Sequence, residues 1–492
     1  MITFIICIIA LIIGYIIYGR FIDRYFGMDT GRPTPAITMN DGVDFLPLPA
    51  WKIFMIQFLN IAGLGPIFGA ILGAMYGPLA YLWIVAGCIF MGAVHDYFSG
   101  MLSIRNNGFS LPEIVGKYLG NSARIFLRIF TILLLIFVGV AFVTGPAKLL
   151  QTMTTVDVRI WLYLVFGYYL LATLLPINKI IGRIYPVFGA SLLIMALGIG
   201  GSIIIKNISG SLQLGELSIS SFNNFHTDPG SNILYPMLFI VISCGAISGF
   251  HATQSPLMAR CLKSEKQGRR VFYGAMIAEG IVAIIWATAA MNYFGDVKGL
   301  NYTLSHPLAT DPDIVPDPAW VVNEICNSWL GHIGAIFAIV GVVACPITSG
   351  DTAFRSARLT IADMFNIKQS RLSSRLLVSI PLFIIGFFLT FMLKDEFGRV
   401  WKFVGISNQS LATIVLWTAA MYMALRHKNH WLLTIPATLL TTICITYIMV
   451  APNKNAGLGI PVLPGYIIGS IAGFISLLTF LISVRKKIKN RS

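Results

Sequence analysis

The amino-acid sequence predicts an all-α integral membrane protein with about 13 transmembrane helices. Of its 492 residues, 56% are hydrophobic and only 11% are charged. A soluble domain needs about a quarter of its residues charged to cover its surface. Apolar stretches recur along the whole chain, each near the roughly 20 residues that cross the core of a bilayer. The composition therefore excludes a water-soluble globular protein.

Thirteen apolar stretches are predicted to span the membrane. They are residues 2–18, 52–75, 79–104, 124–147, 160–176, 184–205, 233–257, 271–294, 332–354, 375–393, 399–425, 431–451 and 463–484. No basic residue precedes the first stretch and no small-residue cleavage site follows it, whereas Arg20 and Arg24 come directly after it. We therefore expect an uncleaved anchor helix and not a signal peptide.

The basic residues follow the alternation of these spans. One set of alternate loops holds 25 Lys and Arg residues, and the other set holds 8. Because cytoplasmic loops carry the excess of positive charge, we expect the N-terminus outside and the C-terminus in the cytoplasm, across the cell inner membrane. This topology accounts for the net charge of +15, so no nucleic-acid partner is predicted.

Enzyme and metal-site motifs are absent from the sequence. The seven cysteines lie mostly within apolar runs, without a CxxC pair or a Cys/His spacing typical of zinc. There is no Gly-rich nucleotide loop, no HExxH and no nucleophile elbow. We therefore expect neither an enzyme nor a cofactor other than a coupling ion.

The span at 52–75 contains a predicted break at residues 60–69, Asn-Ile-Ala-Gly-Leu-Gly-Pro-Ile-Phe-Gly. Pro66 lacks an amide hydrogen, and Gly63 and Gly65 permit an unwound backbone. Unwound backbone at membrane depth is tolerated only where it is buried in protein or lines a wet cavity. The break therefore indicates a binding site, and the alternative is a kinked packing helix with small residues at its interface.

The span at 233–257 is interrupted at residues 243–251, about as far from its start as the first break. Each interrupted span is the first of a group of five spans. Because five is an odd number, the second group starts on the opposite side of the membrane and is inverted relative to the first. This pattern predicts two inverted five-helix repeats, 51–206 and 233–426, with the binding site at the interrupted helices. The other predicted units are the anchor helix and loop 1–50, the outer loop 207–232 and the two C-terminal helices with a basic tail, 427–492.

Residues 295–331, which are rich in proline and acidic residues, are predicted to form an outer lid loop. A solvated loop is the alternative.

The half-helices after the breaks would point positive dipole ends at an anionic substrate group. The candidate substrate-binding residues are Gly63, Gly65, Pro66, Ser243, Gly245, Ser248, Gly249, His251 and Asn408.

Titratable side chains within predicted spans are few and are functional by default. The proton-coupling candidates are His95, Asp96, Glu279 and Asp351. A structural His95–Asp96 pair is the alternative for the first two. Arg355, four residues beyond Asp351, is a candidate partner that would neutralise it.

Cys345, Thr348 and Ser349 have the spacing i, i+3, i+4 and place two hydroxyl groups on one helix face. Together with carbonyls from an unwound helix, they would form the oxygen cage that a hard cation needs. The alternative is that both hydroxyls bond back to their own helix.

Four motifs together resemble the carbon starvation protein A (CstA) family: the runs 41–47, Gln57 to Pro66, Leu82-Trp-Ile84 and Gly92-Ala-Val-His-Asp96. The resemblance implies uptake of peptides or pyruvate during carbon limitation, and a LeuT-like inverted repeat of five plus five helices. It implies a sodium site formed by the carbonyls of Leu59 and Ala62 with Cys345, Thr348 and Ser349, in which Cys345 acts through its carbonyl. Pro66 replaces the side-chain amide of a second sodium site, so one cation site is expected.

The sequence thus predicts a secondary transporter that imports small carboxylates or peptides with Na⁺ or H⁺ by alternating access. A channel and a membrane nutrient sensor that binds without transporting are the alternatives.

Overall fold

A computed structural model describes residues 1–154, 156–174, 181–308, 315–369, 371–393 and 397–490. Within these ranges the side chains of residues 152, 153, 173, 174, 181–184, 332–335, 337–339, 397, 398 and 454 are not described. Part of the predicted lid, residues 309–314, and the end of the predicted span 160–176 lie outside the described residues. The described ranges are built from helices and contain no β-strand.

The helices, in chain order, are α1 (Ile2–Phe26), α2 (Ala50–Ile61), α3 (Gly65–Ala74), α4 (Leu79–Arg105), α5 (Leu111–Leu119), α6 (Asn121–Gln151), α7 (Val158–Ala172), α8 (Tyr185–Ile208), α9 (Leu234–Val241), α10 (Gly249–Ala259), α11 (Glu265–Tyr293), α12 (Val297–Ser305), α13 (Pro318–Ala338), α14 (Ala344–Phe365), α15 (Leu372–Met392), α16 (Arg399–Ala424), α17 (Trp431–Val450) and α18 (Val462–Lys489).

Nine of the helices within the described ranges are long and apolar enough to cross a membrane. The pair α2 and α3, bent by 53° at its break, makes a tenth crossing if it is counted as one span. The predicted class, an all-α integral membrane protein, is confirmed. Each predicted span coincides with a helix or an interrupted helix, whereas the number of 13 crossings remains a prediction.

Segments predicted on one side of the membrane lie together at one end of the bundle. The first residues of α1 donate hydrogen bonds from their amides to the Glu216 carboxylate, and the Asn301 amide donates to the Met75 carbonyl at 2.9 Å. We call this the outer end, after the predicted topology. At the opposite, inner end, Arg105 binds Glu265 at 2.8 Å. In each of these contacts, the two segments are ones that the distribution of basic residues predicts to lie on the same side of the membrane.

The core lies around α11, which packs against α1, α2, α3, α4 and α8. The last helix, α18, packs mainly against α17, which packs on its other side against α16. A Cβ atom on Gly469 or Gly473 would lie 2.0 Å or 2.1 Å from the hydroxyl of Thr446 or Thr442, respectively. Small residues at these positions let the two helices approach closely, as packing within lipid requires.

The predicted lid, residues 295–331, is not an irregular loop in its described part. It contains α12 and the first turns of α13. Pro318 is the first residue of α13, a position at which a missing amide hydrogen costs no helical hydrogen bond. Gly331, with φ 61° and ψ −155°, kinks α13 where the predicted span 332–354 begins. One of the prolines that suggested a loop, Pro318, is therefore the start of a helix.

Candidate functional site

The first predicted break is present between α2 and α3. Helix α2 ends at Ile61, and Ala62 has non-helical angles, φ −79° and ψ 41°. Pro66 lies in the first turn of α3, where its missing amide hydrogen leaves no intrahelical bond unmade. Residues 57–71 are all buried. The unwound backbone is therefore enclosed by protein, the one setting that membrane depth tolerates.

The second predicted break is also present. Helix α9 ends at Val241 and α10 begins at Gly249, so seven residues between them are outside the two helices. One carbonyl that the break frees, that of Ile242, accepts a hydrogen bond from the indole of Trp83 at 3.2 Å. Side chains of neighbouring helices thus satisfy backbone groups that helical bonds no longer reach.

The two breaks pack directly against each other. A Cβ atom on Gly65 would lie 2.1 Å from the Cβ of Cys244 and 2.4 Å from its sulfur. A Cβ atom on Gly249 would lie 2.4 Å from the carbonyl oxygen of Asn408. Gly65 therefore allows the two breaks to meet, and Gly249 allows α10 to approach α16 closely.

We expect Gly65→Ala to lower stability by about 1–3 kcal/mol, because overpacking a full core costs that much, and to reduce uptake strongly. The second substitution Cys244→Gly removes the clashing atoms and is expected to recover part of both losses. Thermal unfolding and initial uptake rates measure the effect. The matched control is Gly201→Ala on α8. A Cβ atom there would have no atom of the described residues within 4 Å, apart from its chain neighbours and the backbone of its own helix. Wild-type melting and uptake in Gly65→Ala would contradict the packing of the breaks.

All five residues predicted to form the cation site come together between α2 and α14. The Ser349 hydroxyl donates to the carbonyls of Leu59, at 3.1 Å, and Cys345, at 3.0 Å. The Thr348 hydroxyl donates to the Cys345 carbonyl at 2.7 Å. The Cys345 sulfur lies 2.6 Å from the carbonyl oxygen of Ala62 and 3.5 Å from that of Leu59.

The donor set of this cage consists of three carbonyl oxygens and two hydroxyls, all buried. Uncharged oxygen ligands fit a hard cation of low charge. The C-terminal end of α2 adds the negative end of a helix dipole. The thiol of Cys345 also faces the carbonyls of α2, although only its carbonyl is implied as a ligand by the resemblance. The residues present therefore fit a sodium ion.

Four titratable side chains form a second buried group. The Nδ1 atom of His95 lies 2.8 Å from one oxygen of Asp96, and the Nδ1 atom of His251 lies 2.9 Å from the other. The Nε2 atom of His251 lies 3.4 Å from a carboxylate oxygen of Glu279. All four side chains have zero exposure. They come from α4, α10 and α11, and we call them the His–Asp–Glu cluster.

Glu279 has neither carboxylate oxygen in a hydrogen bond with any described residue. A carboxyl group placed at membrane depth without such bonds is costly and points to function. Asp351, the fourth proton-coupling candidate, instead accepts a hydrogen bond from Tyr185 at 2.5 Å. Arg355, the partner suggested for Asp351, pairs with Asp44 at 3.3 Å.

A cavity of about 520 Å³ lies at the outer end and reaches both breaks, at Phe68 and at Ser243. Ser243 is the one predicted substrate residue among its lining side chains. His251 belongs to the His–Asp–Glu cluster, and the other predicted residues are buried beneath the cavity where the breaks pack.

Two cationic side chains of the cavity, Lys148 and Lys402, were not predicted as site residues. The sequence did contain a clue to them. Lys148 and Lys402 are two of the 8 basic residues in the loops predicted to lie outside, where basic residues are few. Trp401, Tyr76 and His226 also line the cavity.

Comparison with known proteins identifies the family. A family model described as "Carbon starvation protein CstA" matches residues 1–152, 143–304 and 318–447. The chain belongs to the CstA family. It is 44% identical to a membrane protein of Haemophilus influenzae over 350 residues, which cover 62% of this chain and 94% of that protein.

Two similar proteins of Escherichia coli carry functional names. The peptide transporter CstA is 25% identical over 559 residues, covering 88% of this chain and 78% of its own. The pyruvate/proton symporter BtsT is 29% identical over 348 residues, covering 58% of this chain and 48% of its own. The CstA-family chain is therefore a membrane transporter and not an enzyme.

Solved structures show the same fold at low sequence identity. A manganese transporter of Eremococcus coleocola matches with a TM-score of 0.57 and 15% identity, covering 92% of this chain and 99% of its own. A Na⁺-coupled sialic acid symporter matches with a TM-score of 0.54 and 13% identity, covering 97% of both chains. The LeuT-like fold predicted for the CstA-family chain is confirmed. Its described residues contain no group of three or more His, Cys, Asp or Glu side chains that could hold a metal ion.

Proposed function

We propose that this transporter is a cation-coupled symporter that imports small carboxylates, such as pyruvate, or short peptides across the cell inner membrane. The observation that carries the proposal is the outer cavity, whose charged lining side chains are two lysines and one aspartate, Asp317, and which reaches both interrupted helices. The first of these helices also supplies a carbonyl to the oxygen cage. Rocking of the interrupted helices would expose the substrate to each side in turn. The N-terminus lies outside and the C-terminus in the cytoplasm in this proposal.

Substrate recognition in this proposal begins in the outer cavity. Its volume of about 520 Å³ lies in the range that ligand pockets occupy, roughly 300–1,000 Å³. Lys148 and Lys402 supply positive charge for a carboxylate, and the aromatic side chain of Trp401 supplies apolar surface. The N-termini of α3 and α10 add positive dipole ends at the floor of the cavity.

The coupling ion in this proposal is Na⁺ in the oxygen cage or H⁺ in the His–Asp–Glu cluster. Sodium would join α2 to α14, because each helix supplies part of the ligands. For the proton, His95, Asp96 and Glu279 are the candidates, with His251 joining them. Asp351, held by Tyr185, is the remaining candidate.

We expect Lys402→Gln, and Lys148→Gln separately, to raise the KM for substrate about 10- to 100-fold, because a hydrogen bond to a charged group contributes roughly 1.5–3 kcal/mol. Lys402 also donates to the Asn455 side chain at 2.7 Å, a bond that glutamine can replace. Counterflow of labelled pyruvate and a dipeptide panel in proteoliposomes gives the KM values. The control is Lys298→Gln, an exposed lysine on α12 at the same end.

If neither pyruvate nor any short peptide exchanges under a sodium or a proton gradient, the proposed substrates are wrong. Saturable binding without counterflow would favour a nutrient sensor. Conductance far above carrier turnover would favour a channel.

A further inference from the structure

A group of buried arginines surrounds one carboxylate at the inner end. Asp44, which precedes α2, is 1% exposed. It pairs with Arg355 at 3.3 Å and Arg358 at 3.2 Å, both on α14. Arg260 and Arg375 lie close enough to act on the same carboxylate electrostatically. Two guanidinium groups thus pair with Asp44 and two others act on it from nearby, and we call this group the arginine site.

Arg358 has more hydrogen-bond donors than Asp44 satisfies. Its side chain has zero exposure, and its Nε and Nη1 atoms have no hydrogen-bond partner among the residues that the structure describes. A buried N–H group without an acceptor is costly, and more so on a charged side chain. A second anionic group with two oxygens would match these donors, because a guanidinium binds a carboxylate through two parallel hydrogen bonds.

The pKa of Asp44 reflects the character of this environment. Burial by itself would raise the pKa, but the guanidinium groups of Arg358 and Arg355 outweigh burial and hold it below its ordinary value. The arginine site therefore stabilises the ionised form of a carboxyl group within a nearly closed pocket.

A cavity of about 270 Å³ leads to Asp44 from the inner surface. Its charged lining side chains are two cations, Arg260 and Lys368, and the carboxylates of Asp41, Asp44 and Asp363. The side-chain oxygen of Gln369, which also lines the cavity, is buried and has no partner within the described part of the chain. The cavity therefore leads a small carboxylate as far as Asp44, whereas Arg355 and Arg358 do not line it and become accessible only when the Asp44 carboxylate moves.

The arginine site and the oxygen cage are held by the same two elements. Residues 41–48 lead directly into α2, and Asp41 fixes the amides of Val43, Asp44 and Phe45 at 2.9, 3.0 and 2.9 Å. Helix α14 carries the cage residues and, two turns later, Arg355 and Arg358. Movement of α2 away from α14 therefore has to break the Asp44 pair as well as the cage.

We propose that Arg355 and Arg358 form a second carboxylate site at the inner end, where the carboxylate of the transported substrate replaces that of Asp44 before release. This inference rests on the proposed function. Exchange of one carboxylate for another leaves the net charge of the site unchanged. It also frees residues 41–48, and with them α2, from α14.

The first test compares the two faces of the transporter. In reconstituted vesicles of known orientation, Arg358→Lys keeps the charge but removes the paired donors. We expect the KM for pyruvate or the transported peptide to rise about tenfold at the inner face and to change less than twofold at the outer face. Arg426→Lys, which alters an arginine over the Tyr422 ring at the same end, serves as the control. Equal KM changes at both faces would overturn the proposal.

The second test needs no transport. Thermal unfolding of purified Asp44→Ala is measured with increasing formate or pyruvate, and with chloride at equal ionic strength. We expect saturable stabilisation by the carboxylates alone, absent from Asp23→Ala, in which the lost carboxylate accepted a hydrogen bond from the Tyr97 hydroxyl and not from an arginine. If Asp44→Ala does not fold without ligand, the yield of folded protein after purification in formate is compared with the yield in chloride, and a higher yield in formate is expected.

The two tests separate this inference from the proposed function. Stabilisation of Asp44→Ala by formate together with symmetric KM values would mean that the ion pair only holds the fold, and would overturn the inference. No stabilisation by any carboxylate would also overturn it, even where counterflow proceeds. If neither small carboxylates nor short peptides show counterflow, the proposed function is wrong, and so is the inference that rests on it.

Discussion

Thr348→Ala combined with Ser349→Ala is expected to abolish the sodium dependence of uptake while the protein remains folded. The double substitution removes two of the five oxygens that converge between α2 and α14. If each lost ligand costs as much as a hydrogen bond to a charged group, roughly 1.5–3 kcal/mol, the affinity for sodium falls by at least about 100-fold. Initial uptake rates measured against sodium concentration at constant ionic strength report the change.

Two variants on the same helix control this experiment. Cys345→Ala leaves all five oxygens in place, so sodium dependence is expected to persist if the carbonyl of this residue is the ligand. Ser356→Ala removes another buried hydroxyl of α14, which donates to the Thr253 carbonyl at 3.0 Å, and is expected to leave sodium dependence unchanged. Unaltered sodium dependence in the double variant would remove the cage from the mechanism.

Local rules predicted the two halves of the oxygen cage, whereas the pairing of the Leu59 and Ala62 carbonyls with α14 was implied by the resemblance to the CstA family. Helical spacing alone places Cys345, Thr348 and Ser349 on one face. The Gly–Pro break alone implies freed carbonyls near Ala62. The spans could be predicted for a similar reason, since the thickness of a bilayer fixes the length of an apolar helix.

Contacts between distant segments could not be predicted in this way. His95 and Asp96 are neighbours in sequence, but their link to Glu279 depends on how α10 and α11 pack on α4. Arg355 was paired in prediction with Asp351, four residues away, whereas its observed partner Asp44 is 311 residues away. No spacing rule relates such positions, and the same holds for the lysines of the outer cavity.

The His–Asp–Glu cluster yields the second large prediction. Glu279→Gln keeps the size of the side chain but removes its ability to gain and lose a proton. We expect this variant to lose proton-driven accumulation of substrate and the dependence of uptake on pH, while counterflow without a gradient persists. Uptake driven by an imposed pH gradient, compared with counterflow in the same proteoliposomes, measures the two activities separately.

The expectation follows from where the partners of Glu279 lie. His251 is on α10, two residues beyond its start at the second break, and Asp96 holds it from α4. The charge on Glu279 changes its attraction to His251 and therefore how firmly the second interrupted helix is held. Among the described residues, Cys88, Cys244 and Cys345 also lie within electrostatic reach of Glu279. These are thiols, so the carboxyl groups and histidines are the groups suited to carry a proton near neutral pH.

Asp351→Asn is the matched control for the cluster. It also neutralises a buried carboxylate, but one that Tyr185 holds outside the cluster, so its proton-driven accumulation is expected to resemble that of the wild type. If Asp351→Asn abolishes accumulation and Glu279→Gln does not, Asp351 carries the proton and the cluster is structural. If even the wild type accumulates substrate only under a sodium gradient, and only the Thr348/Ser349 double variant loses that accumulation, sodium is the sole coupling ion.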